Sequence, residues 1–239
     1  SITISRGVAT YNVDGGAGTD SLSMELNGTV QANSIVNFET SSITVTNSSD
    51  AVVTLASGEY INDSDHTTLT VTGGNSISTL AIGGAMGATG ASANAIGVAN
   101  GSEATGLTSI NASGFAGDMT LTFGDGVVDD NLTITGGSGT DRVNAAYAGS
   151  TDEVHLSGIE RFSIQADATA NVDLTDTAGL LRVYVDDDNT AATTTLTDLA
   201  SGVDVYFTAG ANTSGVVIDM ANATGSSDTL RVELEAGSG

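Results

Sequence analysis

The sequence predicts an all-β chain wound as a parallel β-solenoid, β-helix or β-roll in type, built from long stacked repeats. Three observations carry that prediction. They are an alphabet of strand and turn residues, short runs of period-two alternation, and a glycine-rich nonapeptide that occurs twice.

The alphabet comes first. Of 239 residues, 39% are hydrophobic but only 4% aromatic, so the core must be made of Val, Ile, Leu and Ala. Such side chains suit the narrow interior of a solenoid. A β-sandwich, the main alternative fold, needs a wider and more aromatic core. The rest of the chain is dominated by Thr, Ser, Gly, Asn and Asp. Thr favours strands, while Gly, Asn and Asp accept the positive φ angles of tight turns.

The alternation comes second. Leu22, Met24 and Leu26 share one face of a strand, as do Ile43 with Val45, Leu69 with Val71, and Leu121 with Phe123. Leu132 with Ile134, Val183 with Val185, and Val203 with Val205 repeat the pattern. Each run is bounded by Gly, Asn, Asp or Ser, as strands of an all-β fold are. The best helical candidate, Ala85 to Ala104, carries so many glycines that a loop or narrow coil is expected there.

The third observation is internal repetition. Gly15-Gly16-Ala17-Gly18-Thr19-Asp20-Ser21-Leu22-Ser23 is matched by Gly136-Gly137-Ser138-Gly139-Thr140-Asp141-Arg142-Val143-Asn144. Asn37-Phe38-Glu39 follows the first and Gly158-Ile159-Glu160 the second, with the same spacing from Asp to Glu. A third start is expected at Gly225-Ser226-Ser227-Asp228. The chain therefore divides into a first repeat over 1–107, a second over 108–222, and the opening of a third over 223–239. Ile2-Thr3-Ile4 already reads as strand, so the chain is expected to be a piece of something longer.

Charge narrows the function. The net charge is −24, and the basic residues are Arg6, Arg142, Arg161, Arg182 and Arg231 alone. Phosphate contacts need Lys and Arg, so nucleic acid is excluded as an expected partner. Self-repulsion of this size calls for cations, and divalent ions with oxygen ligands are the expected ones. No apolar stretch is long enough to span a bilayer as a helix, and membrane insertion is not expected. The absence of Cys removes disulfides and thiolate metal sites.

The nonapeptide offers a place for such an ion. Its glycines let successive carbonyl oxygens turn toward one centre, its Asp adds a charged oxygen, and its aliphatic residue opens the next strand. Calcium takes six to eight oxygens, many from backbone carbonyls. The candidate ligands are Gly16, Gly18 and Asp20, with Asp14 beside them, and Gly137, Gly139 and Asp141, with Asp125, Asp129 and Asp130 nearby. The competing reading is a tight turn with a solvated Asp. Asp186-Asp187-Asp188 and Asn62-Asp63-Ser64-Asp65 read as solvated turns first and as chelators second, while Asp228, without the double glycine, is a candidate cap of a degenerate site.

Catalytic signals are sparse. His66 and His155 are the only histidines, in no metal-ligand spacing, and a phosphate-binding loop is impossible without Lys. The chain is expected not to be an enzyme.

The paired nonapeptides and their Phe38-Glu39 and Ile159-Glu160 followers resemble the large calcium-dependent RTX-type S-layer proteins of alphaproteobacteria. So do the Leu107–Gly114 and Met220–Asp228 stretches. The resemblance implies a right-handed parallel β-solenoid, type I secretion, and calcium-driven folding into a two-dimensional lattice on the cell surface. By it, Asp20 and Asp141 would bind calcium through their carboxylates and the glycines through carbonyls. Lattice neighbours, that is copies of the chain, are the expected partners, with a cell-surface polysaccharide engaged through other regions. The alternatives are a region of a secreted RTX adhesin that grips a surface or glycan, and the calcium-binding stalk of a secreted protease or lipase.

Overall fold

The structure, a computed structural model, describes residues 2–5, 12–26, 34–46, 52–55, 66–82, 96, 98–99, 102–103, 106–125, 127–147, 151–166, 168–186, 193–208, 215–222, 224 and 226–235. Asn62–Asp65, Asp187, Asp188 and most of the Ala85–Ala104 stretch lie outside them. Every regular element among the described residues is a β-strand, and no helix there is long and apolar enough to cross a membrane.

The strands are β1 (Ile2–Ser5), β2 (Asn12–Asp14), β3 (Ser21–Leu26), β4 (Ser34–Val36), β5 (Thr40–Val45), β6 (Val52–Leu55), β7 (Thr68–Gly73) and β8 (Thr79–Ile82). Next come β9 (Val98–Ala99), β10 (Ser102–Glu103), β11 (Ser109–Phe115), β12 (Asp118–Phe123), β13 (Thr133–Thr135), β14 (Arg142–Tyr147), β15 (Thr151–Glu153) and β16 (His155–Ser157). The last are β17 (Arg161–Ala166), β18 (Ala170–Asp173), β19 (Thr177–Ala178), β20 (Arg182–Val185), β21 (Thr193–Leu199), β22 (Asp204–Phe207), β23 (Gly215–Met220) and β24 (Arg231–Leu234).

Their pairing is ordered by the chain. The first sheet runs β1-β3-β5-β7-β11-β13-β16-β19 and the second β6-β8-β12-β14-β17-β20-β22-β24. A third sheet, β15-β18-β21-β23, joins them in the C-terminal half, and β2 pairs with β4 near the start. All these ladders are parallel; the β9–β10 pair alone is antiparallel among the described strands. From β14 to β21 the chain visits the second, third and first sheets in turn and returns to each one strand further along. Parallel pairing demands such crossovers, because a tight hairpin cannot connect parallel strands.

Alternation then stacks like on like. In the second sheet Ile82, Leu121, Val143, Phe162, Val183 and Val205 occupy one inward row, and all are buried. In the first sheet Met24, Ile43 and Val71 form another, and Leu69, Ile110, Ile134 and Leu156 a third. Every aliphatic and aromatic residue of the period-two runs is buried in this core. Each residue of a row covers its neighbours above and below, and burying such a side chain contributes roughly 1.5–3 kcal/mol.

Outward rows are polar. The first sheet displays Ser21, Thr40, Thr68, Ser109 and Thr133 in one row and Ser23, Ser42, Thr70, Asn111 and Thr135 in the next. Hydroxyls touch across strands, Ser21 Oγ with Thr40 Oγ1 at 2.8 Å and Thr44 Oγ1 with Thr72 Oγ1 at 3.3 Å.

Candidate functional site

Each glycine-rich nonapeptide is a turn that enters a strand. The first enters β3 of the first sheet and the second enters β14 of the second sheet. The Glu that follows in each case lies one strand further along, on the residue before β5 or β17. Its carboxylate accepts the amide of the motif's Asp: Glu39 Oε2 from Asp20 N, and Glu160 Oε2 from Asp141 N at 2.8 Å. The 19-residue separation of both pairs is thus one strand-to-strand step, stapled by a side chain. Neither Glu was a candidate ligand by sequence, yet the repeated Asp-to-Glu spacing was the signal of its role.

The first glycine of each motif is fixed by that stacking. A Cβ on Gly15 would lie 2.0 Å from the Asn37 carbonyl, and one on Gly136 would lie 1.9 Å from the Gly158 carbonyl. Beyond this the two motifs differ. Around the second, Gly137 and Gly139 press on the carbonyls of Phe115 and Gly117, where a Cβ would approach to 2.2 and 2.1 Å. Asp118 Oδ1 accepts the Thr140 amide at 2.7 Å. Asp141 is wholly buried; Oδ1 accepts the Met119 amide at 2.8 Å and Oδ2 accepts the Gly137 amide. Burial pushes the Asp141 carboxyl above its ordinary value, and these two amides pull it partly back.

Around the first motif, Gly16 (φ +86°) has no neighbour within 4 Å of a would-be Cβ, and Gly18 (φ +138°) only the Asp20 carboxylate at 3.9 Å. Asp20 is half-buried. Asp14 is exposed; its Oδ1 accepts Asn37 Nδ2 at 2.7 Å and the Gly16 amide at 2.9 Å, and these bonds hold its carboxyl below the ordinary value.

The two carboxylates are engaged differently. Both oxygens of Asp141 accept amide hydrogens, so the side chain clasps Met119 and Gly137 together. The first motif leaves the Asp20 carboxylate and one Asp14 oxygen free of hydrogen bonds from the described residues. Asp129 is engaged by its own turn through Asn131, and Asp130 Oδ1 accepts the Glu153 amide at 2.7 Å. Asp125 is partly buried, with its carboxyl raised by burial. Among the described residues no group of three His, Asp or Glu gathers in a geometry for a metal.

The histidines sit apart. His66 is buried, with Nε2 3.0 Å from Ser41 Oγ and 3.1 Å from the Thr68 carbonyl. A carbonyl only accepts, so the contact to Thr68 is a hydrogen bond when Nε2 carries the proton. His155 Nδ1 pairs with Asp176 Oδ2 at 2.9 Å on the surface. No protein-family model, no curated protein and no solved structure matches the chain.

Proposed function

We propose that the chain is a non-catalytic segment of a secreted structural protein that self-assembles in a layer at the cell surface, wound as a parallel β-solenoid. The observation that supports this most is the chain-ordered stacking of two eight-stranded parallel sheets around continuous aliphatic rows. Such a body grows by adding circuits and presents long flat faces for side-by-side packing. With a net charge of −24, close packing of copies needs counter-ions, and calcium is the proposed one. The first motif, through Asp14 and Asp20, is the proposed site of binding; the second serves as an internal clasp.

The test is a circular-dichroism melt in millimolar calcium and in excess chelator, on wild type and Asp20→Ala, followed by electron microscopy of both states. Calcium is expected to raise the wild-type midpoint, less so in the variant, and to yield ordered arrays. Identical melts and dispersed monomers in both conditions would overturn the reading.

A second reading, an adhesin region that grips a surface or glycan, is favoured by the hydroxyl rows of the first sheet. Binding of the chain to crystalline cellulose or to ice, lost on Thr70→Tyr in the middle of those rows, would support it over self-assembly.

A further inference from the structure

Four of the five arginines of this acidic chain fall in one row. Arg142 pairs in register with Arg161, Arg161 with Arg182, Arg182 with Asp204, and Asp204 with Arg231, across five consecutive strands of the second sheet. Neighbouring strands are about 4.8 Å apart, and like charges placed directly opposite destabilise a sheet. Three successive guanidinium groups therefore carry a cost that stacking alone does not explain.

The chain offsets that cost on either side of Arg161 but not at it. Arg142 lies down on the sheet, donating to Asn144 Oδ1 at 2.7 Å and Ser163 Oγ at 2.6 Å, with its Cζ 4.7 Å from the Tyr184 ring centroid. Arg182 and Arg231 share Asp204 at 3.4 and 3.3 Å. Arg161, between them, is exposed and forms no ion pair with any described residue. It borders a recess of about 380 Å³ with Arg182, Thr140 and Leu181, the last 62% exposed. The two carboxylates of that recess are engaged elsewhere, Glu160 by the Asp141 amide and Asp204 by Arg182 and Arg231. Arginine beside an exposed aliphatic is a composition of protein-contact cores.

A second acidic copy supplies the missing anion. At the turn from the third sheet into the first, Glu153 and Asp173 stand in register, and Asp130 and Asp176 flank them through their bonds to the Glu153 amide and His155. We infer that this acidic edge of one copy docks on the arginine row of the next, carboxylates meeting Arg161 and Arg182 over Leu181. Donor and acceptor patches are different surfaces of one chain, so the contact is heterologous and leaves each added copy a free patch for the next until a ring closes. The inference rests on the self-assembly reading and names its faces.

The experiment compares wild type, Arg161→Glu and Glu153→Arg by sedimentation velocity over a range of concentration and salt, each first shown to melt like wild type. In millimolar calcium, wild type is expected to associate at low sodium chloride and to dissociate toward 1 M, where the screening length falls to about 3 Å. Each variant alone is expected to associate about tenfold more weakly or worse, and an equimolar mixture of the two to associate again, because one intact patch of each remains. Assembly of Arg161→Glu equal to wild type would overturn the arginine face while leaving self-assembly standing. A wild type that stays monomeric with and without calcium would overturn the assembly reading itself. A monomeric wild type that binds polygalacturonate through Arg161 would replace the second copy with an acidic polysaccharide.

Discussion

The turns at Gly15–Ser23 and Gly136–Asn144 share a nonapeptide pattern, yet they occupy different environments. The second is gripped from both sides, by Phe115, Gly117 and Asp118 of the preceding strands and by Gly158 and Glu160 of the following ones. At the first, Asn37 crowds Gly15, Glu39 holds the Asp20 amide and Asp14 the Gly16 amide, while no backbone of the described residues presses on its next two glycines. The lesson is that the pattern encodes a turn able to stack. Whether its Asp becomes a buried clasp or an accessible carboxylate depends on what the neighbouring strands bring to it.

The sharpest way to break this comparison is at the second glycine of each motif. Gly137→Ala drives a methyl group into the Phe115 carbonyl, and backbone on both sides must shift. A cost of about 4 kcal/mol is expected, the upper end for single substitutions. Gly16→Ala meets nothing and bears only the strain of a positive φ, about 1 kcal/mol. Urea denaturation of both variants reads the difference; equal losses would mean that the two turns are held alike.

The aspartates give the next contrast. Asp141→Ala strands the amides of Met119 and Gly137 in the interior, and each buried donor without a partner costs roughly 1–3 kcal/mol, for a total of about 3 kcal/mol. In the absence of calcium, Asp20→Ala is expected to cost less than about 0.5 kcal/mol, as a surface change does. A large loss at Asp20 in chelator would show that its carboxylate is a clasp as well.

Much of this was legible in the sequence, for physical reasons that can be named. Period-two alternation is a local property, so Leu22, Ile43, Leu69 and Val183 could be placed inside before any pairing was known, and they are inside. The parallel direction was expected from the repeated nonapeptide, a pattern that belongs to parallel solenoids. What could not be read was which strands become neighbours. Thr40 pairs with Thr68 and Thr68 with Ser109 across connections of unequal length, so the hydroxyl rows of the first sheet assemble only in three dimensions. The arginine row is hidden in the same way, because its members are interrupted by Asp204 and spaced unevenly. The Asp-to-Glu spacing was visible, but that it marks one strand-to-strand step rather than a ligand set follows only from Glu160 reaching the Asp141 amide.

The smallest effect, and the one with the clearest sign, is the response to acid. Burial is the larger influence on Asp141, so its carboxyl titrates higher folded than unfolded. The folded state then holds that proton more tightly. Its contribution to stability is full below the unfolded aspartate value of about 3.9 and is lost as pH rises through the higher folded value. Asp14 is the reverse: bonds from Asn37 and Gly16 favour its ionised form, so its contribution is present above that value and is lost as pH falls through the lower folded one. Stability curves of Asp141→Asn and Asp14→Asn between about pH 3 and 7, each subtracted from wild type, should therefore slope in opposite directions. Parallel slopes would mean that the two carboxylates sense similar surroundings, and the contrast between an interior clasp and an open turn would fail at its chemical root.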